Sequence, residues 1–131
     1  MRTGNAQRVT KETAVKVELC IDGKGVANIS TGIGFFDQML EQLARHSLMD
    51  VSIEAKGDLH IDPHHTVEDV AITLGQAFRK ALGDMKGIQR YGRGIIPMDE
   101  ALTEVYVDIC DRPFLVFDVN FTKEYLGTLD T

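Results

Sequence analysis

Residues 60–69, His-Ile-Asp-Pro-His-His-Thr-Val-Glu-Asp, contain three of the four histidines of the chain and three carboxylates. Proline is excluded from helix interiors and restricts the residue before it, so the segment up to Pro63 is extended or turning. Beyond it, apolar residues recur at helical spacing, which predicts a helix over residues 67–82. These residues are Val67, Val70, Ala71, Leu74, Phe78 and Ala81. The stretch therefore defines a junction between a loop and a helix.

The histidine pair at this junction has the residue types of a metal site. Imidazole and carboxylate are common ligands of divalent first-row metals. His64 and Glu68 are four residues apart and share a helix face if the first turn extends back to His64. His65 must point elsewhere, so the pair is suited to serve two metals. The alternative is that Glu68 and Asp69 only favour a helix N-terminus and that the histidines are loop residues.

Composition limits the class of protein. The net charge of −6 argues against a general nucleic-acid binder, although a local basic pocket for a small anion remains compatible with it. No apolar run reaches membrane-spanning length, and the N-terminus lacks a secretion signal. The two cysteines form neither a metal pattern nor a disulfide framework, which predicts a reduced, cytoplasmic setting.

Upstream of the junction, the pattern predicts strands and one helix. Residues 8–21 are predicted as a strand because apolar and mostly polar residues alternate there. A turn at 22–25 and a strand at 26–30 would complete a hairpin. A helix is predicted at 36–45 and a strand at 51–55. His46 follows this helix, where the helix dipole favours a histidine whether or not it binds a ligand.

Downstream of the second helix, residues 83–94 form a glycine-punctuated connection that carries Lys86, Arg90 and Arg93. Arginine binds phosphate in a forked geometry, so this connection is either an anion site or a solvated basic loop. Residues 95–99 are predicted to be extended and residues 103–110 to form a strand. A turn at 111–113 would place Arg112 at a hairpin tip, before a return strand at 114–120.

An internal repeat is also visible. Residues 16–20 (KVELC) and 106–110 (YVDIC) share one pattern about ninety residues apart, and each is followed by a turn. This spacing predicts a duplicated unit. Residues 1–85 would form the first half-domain, with the histidine motif, and residues 86–131 the strands of an incomplete second one.

Five segments together resemble the imidazoleglycerol-phosphate dehydratase family of histidine biosynthesis, over essentially the whole chain. They are residues 31–40 (TGIGFFDQML), 57–69 (GDLHIDPHHTVED), 88–92 (IQRYG), 96–100 (IPMDE) and 111–113 (DRP). The resemblance implies an α+β fold made of duplicated half-domains similar to a domain of a ribosomal protein. Each half-domain has a four-stranded mixed sheet and two helices. Family members continue through a second His-His-x-x-Glu motif, so we expect a C-terminally truncated chain with an incomplete second copy.

The resemblance further implies a hydro-lyase that converts D-erythro-imidazole glycerol phosphate into imidazole acetol phosphate. This reaction removes a carbon-bound proton that no adjacent carbonyl acidifies. Two manganese ions at the substrate ring would favour its anionic form, which can take up the charge left by the proton. By the same resemblance, Glu12 and Glu68 are candidate catalytic residues, and the sequence does not decide which carboxylate moves protons.

The ligand sets also follow from the resemblance. Two Mn²⁺ ions are expected in each complete active site, which lies between subunits. The expected metal ligands in this chain are His46, His64, His65 and Glu68. The expected substrate-binding residues are Glu12, Gln38, His46, His64, His65 and Glu68, with Arg90 and Arg112 at the phosphate.

The expected partners are a small phosphate substrate and further copies of the chain, in a trimer or a shell of about 24 subunits. We expect neither nucleic acid nor membrane as a partner. Because the second motif is missing, we expect the 131 residues alone to be weakly active or inactive. The competing hypothesis is a non-catalytic metal-binding or assembly module derived from the enzyme.

Overall fold

The computed structural model describes all residues 1–131, which divide into two units. The first comprises Met1–Asp84 with Phe121–Thr131, and the second comprises Met85–Asn120. The first unit contains β1 (Thr3–Val9), β2 (Thr13–Cys20), β3 (Ala27–Ser30), α1 (Gly34–Ser47), β4 (Asp50–Gly57) and α2 (His64–Leu82), followed near the C-terminus by β7 (Tyr125–Leu126) and β8 (Leu129–Asp130). The second unit contains β5 (Tyr91–Met98) and β6 (Ala101–Asp108).

Four strands of the first unit form one mixed sheet in the order β1-β2-β4-β3. β2 pairs antiparallel with both β1 and β4, whereas β3 pairs parallel with β4. Both helices cover the same face, with α2 on β1, β2 and β4 and α1 on β3 and β4. The predicted α+β class, with a four-stranded mixed sheet and two helices, is confirmed.

The core lies between the sheet and the helices. Alternate residues of β2 and β4 face it, which places polar residues such as Lys16 and Glu54 on the opposite, open face. The helices contribute Leu40, Ala44 and Val70 to this core. Burial of one face of each element explains why both helices were predicted within a few residues of their observed bounds.

The predicted organisation of the first strands is wrong in two respects. β1 was not foreseen, and residues 8–21 are not one strand, because the chain turns at residues 10–12 between β1 and β2. The predicted hairpin of residues 8–21 with 26–30 does not form, since β4 lies between β2 and β3. The Asp50 carboxylate accepts hydrogen bonds from the Lys24 and Val26 amides, which fixes this loop against β4.

The second unit is an antiparallel hairpin of β5 and β6. β6 confirms the predicted strand at 103–110 to within two residues, and the extended piece at 95–99 is the end of β5. The predicted return strand at 114–120 is wrong, because these residues form no regular structure and pair with no strand. Arg112 therefore does not lie at a hairpin tip.

No helix in the structure is long and apolar enough to cross a membrane.

Candidate functional site

The histidine pair lies in the first turn of α2, which begins at His64, three residues earlier than predicted. The Asp62 carboxylate accepts a hydrogen bond from the His64 amide at 2.8 Å, and the Asp58 carbonyl accepts one from the Ile61 amide at 2.8 Å. These bonds shape the loop between β4 and α2. Thr66, fully buried, anchors the first turn against the core.

The two imidazoles point toward different partners, as the sequence predicted. Their ring centroids are 5.5 Å apart and the rings are inclined by 75°. His64 Nε2 lies 4.0 Å from Glu68 Oε2, whereas His65 Nδ1 lies 2.9 Å from Asp58 Oδ2. Two ligand atoms, each about 2.1 Å from a shared ion, are at most about 4.2 Å apart. His64 Nε2 and Glu68 Oε2 therefore lie within the largest separation that two ligands of one ion can have.

The surroundings of His65 are acidic. Its hydrogen bond to Asp58 raises the pKa of His65 and outweighs the opposing effect of burial. The negative charges of Asp58, Glu12 and Asp62 raise this pKa further. Glu12, predicted from the resemblance, belongs to the turn between β1 and β2, so the fold brings it into electrostatic range of His65.

The remaining predicted residues of the first unit lie on α1. His46 is exposed in the last turn, where its Nε2 lies 3.0 Å from Gln42 Oε1, and Gln38 is exposed on the same helix. No group of three or more histidine, cysteine, aspartate or glutamate side chains in this chain is arranged to hold a metal ion. Within one chain, the fold brings together His64, His65 and Glu68 in pairs but does not add His46 to them.

Arg90 and Arg112, in the second unit, both act on Asp108. Arg90 donates to the Asp108 carboxylate from Nε at 2.6 Å and from Nη2 at 3.0 Å, and its guanidinium lies 4.9 Å from the centroid of the Tyr91 ring. The Arg90 hydrogen bond lowers the pKa of Asp108, and the charge of Arg112 contributes to the same effect. The charges of both arginines predicted to bind phosphate therefore act on one carboxylate, and Arg90 binds it directly.

Sequence reasoning missed two carboxylates that hold the site in place. Asp58 is bound to His65, and Asp69 is buried between α2 and the sheet. Asp69 accepts hydrogen bonds from Arg8 Nε at 2.6 Å and from the Thr13 hydroxyl. The Thr13 hydrogen bond lowers the pKa of Asp69, and Arg8 lowers it further. Asp69 is one of three acidic residues at 60–69, which were a signal, but its partners Arg8 and Thr13 are distant in sequence.

Comparison with known proteins gives consistent matches. A family model described as imidazoleglycerol-phosphate dehydratase matches residues 31–131. The protein of that name from Gluconacetobacter diazotrophicus is 56% identical over 130 residues, which cover 99% of this chain and 66% of that protein. The one from Methylibium petroleiphilum is 58% identical, with 99% and 65% covered. The chain thus spans slightly less than two thirds of the length of these relatives.

Solved structures agree. The crystal structure of imidazoleglycerol-phosphate dehydratase from Staphylococcus aureus is similar with a TM-score of 0.84 and 38% identity, over 98% of this chain and 70% of that one. The Pyrococcus furiosus structure, in complex with (S)-C348, has a TM-score of 0.78 and 39% identity, over 92% and 64%. Sequence, family model and fold together show that this chain belongs to the imidazoleglycerol-phosphate dehydratase family.

Proposed function

We propose that this chain is the larger part of a manganese-dependent hydro-lyase of histidine biosynthesis. The substrate would be imidazole glycerol phosphate and the product imidazole acetol phosphate, with two Mn²⁺ ions in each complete site. The observation that carries the proposal is the pair of imidazoles at the start of α2, which are directed to different partners. Family membership supplies the reaction to which such a pair is suited.

His64, His65 and Glu68 would hold metal in this chain, with His46 contributed through another copy, since no group of three ligands forms within one chain. A subunit-bridging site requires a homo-oligomer, proposed as a trimer or a larger shell in the cytoplasm. When bound, manganese supplies positive charge that favours loss of a proton from the substrate ring. Glu12 is the proposed carboxylate for proton transfer, and the effect of its charge on the pKa of His65 supports this role.

The phosphate would bind to Arg90 and Arg112. Asp108 uses Nε and Nη2 of Arg90 and thereby fixes the orientation of the guanidinium. A guanidinium has five N–H donors, so Nη1 is left to donate to an anion. A phosphate held at one end of the substrate restricts where the reacting carbons lie. Gln38, exposed on α1, is proposed as a further substrate contact.

The second candidate function is a non-catalytic metal-binding or assembly module. The observation that favours it is the lack of a three-ligand cluster within this chain. The two candidates differ in the second ligand set of the native protein, because the module would have lost turnover together with that set.

The test compares the 131-residue chain with the same chain extended to the length of its relatives. Each is supplied with Mn²⁺ and imidazole glycerol phosphate, and product is followed by mass spectrometry. We expect turnover by the extended protein and a loss of at least about 100-fold in the short chain, which lacks several positioning groups. In the extended protein, His65→Ala should abolish turnover, whereas His60→Ala, in the same segment, should not. A native protein of 131 residues by mass that binds Mn²⁺ without turnover would favour the second candidate.

A further inference from the structure

Asp58 directly follows β4, and its carboxylate contacts the His65 ring. Its Oδ2 lies 2.9 Å from His65 Nδ1, and its side chain is 15% exposed against 42% for His65. A carboxylate only accepts hydrogen bonds, so His65 Nδ1 must carry the hydrogen. A neutral imidazole has one N–H, and the Nε2 lone pair is therefore the free one.

Folding alone does not explain this carboxylate. Its second oxygen, Oδ1, is buried and accepts no hydrogen bond from the protein. A half-buried carboxylate with a single partner contributes little to stability, because the partial loss of its hydration offsets the attraction. By contrast, Asp69 has a partner for each oxygen. The feature that Asp58 does control is the orientation and tautomer of the His65 ring.

We propose that Asp58 is a positioning residue, which holds His65 in the Nδ1–H tautomer so that Nε2 is its ligand atom. The inference rests on the proposed function, in which His65 binds metal. A carboxylate behind a ligating histidine fixes the ring and raises its basicity, and loss of such a group weakens metal binding by about 10–100-fold. His64 has a different arrangement, since its nearest carboxylate, Glu68, faces Nε2.

The first experiment measures the tautomer directly. Long-range proton–nitrogen NMR spectra of the metal-free, ¹⁵N-labelled chain are recorded at an alkaline pH where the imidazoles are neutral. We expect His65 in the Nδ1–H form. Asp58→Ala should shift it toward the Nε2–H form that free histidine favours. Asp62→Asn removes a charge from the same loop, keeps a side-chain oxygen that can accept from the His64 amide, and should leave the His65 tautomer unchanged.

The second experiment measures Mn²⁺ affinity by calorimetry in the protein extended to the length of its relatives. Asp58→Ala should weaken binding by about 10–100-fold, and Asp62→Asn, which keeps the acceptor for the His64 amide, should not. An Nε2–H tautomer in the unmutated chain overturns the proposal, as does a folded Asp58→Ala protein with unchanged tautomer or unchanged affinity. If Asp58→Ala does not fold, the unmutated tautomer decides. Failure of the proposed function would instead appear as absent turnover with the Nδ1–H tautomer intact.

Discussion

Asp69 shows how one residue connects three elements of the first unit. Its side chain is 6% exposed, and its two oxygens accept from Arg8 of β1 and Thr13 of β2. Its own carbonyl accepts from the Thr73 hydroxyl one turn later in α2, at 2.6 Å. A buried carboxylate is stable only when its oxygens are satisfied, so these contacts fix the start of α2 on the sheet.

We expect Asp69→Asn to lower the free energy of unfolding by about 2 kcal/mol at neutral pH, because a charged hydrogen-bond acceptor is lost. The native pKa of Asp69 is lowered, so its contribution is present above the ordinary value of about 3.9. It disappears as the pH falls through the native value. Urea unfolding curves should therefore show the variant and the original chain converging in acid.

Asp22→Asn is the matched control for this prediction. Asp22 also pairs with an arginine, Arg2, which lowers the pKa of Asp22 to about 2. Both side chains are solvent-exposed, and exposed ion pairs contribute little to stability. Equal effects of the two substitutions at neutral pH would contradict the role given to Asp69.

Residue types were easier to predict than their partners. The offset between His64 and Glu68 was readable because helical spacing fixes which side chains are neighbours. The pairing of Arg8 with Asp69 spans 61 residues and depends on how β1 lies against α2. Spacing along the chain contains no information about such a contact. Arg90 and Asp108 are likewise distant in sequence, and the hairpin of β5 and β6 brings them together.

At the scale of elements, the missed strand β1 has a physical explanation. Its core-facing residues include Gly4 and Ala6, which lack the large apolar side chains that mark a buried strand. They are small because α2 approaches closely. A Cβ added at Gly4 would overlap the Ala77 carbonyl oxygen in the backbone of the helix. The close packing of β1 on α2 therefore requires small residues, and small residues give no hydrophobicity pattern from which a strand could be predicted.

We expect Gly4→Ala to destabilise the chain by about 1–3 kcal/mol, because no side-chain rotation relieves a clash with helix backbone. Gly75→Ala is the counterpart, in an exposed position of α2 with no atom near the added carbon. It should stabilise by up to about 1 kcal/mol through helix propensity. Thermal unfolding of both variants tests the pair, and a neutral Gly4→Ala would show that α2 can move away freely.

At the scale of the whole molecule, apolar side chains remain exposed in both units. Met39 and Leu43, two apolar residues of α1, are each 41% exposed. Phe114, Leu115 and Val116 are between 79% and 90% exposed. Apolar surface on this scale marks a site of association. The sequence shows that these residues are apolar, but it does not identify a surface against which they pack.

We therefore expect the 131-residue chain to self-associate at micromolar concentration, as seen by sedimentation velocity. Phe114→Ser combined with Leu115→Ser should reduce association, because exposed apolar area is removed where no regular structure is lost. Lys11→Ser combined with Lys24→Ser is a control at exposed polar positions. A folded monomer in the original chain would contradict the expectation.

The placement of β3 outside β4 affects the order in which a newly made chain can fold. β1 and β2 are neighbours in sequence and can pair as soon as both leave the ribosome. β3 has to wait, because its only partner in the sheet begins about twenty residues later, beyond α1. Until β4 is synthesised, β3 is an unpaired strand tethered to a finished hairpin. β3 is therefore the third strand to be synthesised but can join the sheet only after β4, the fourth.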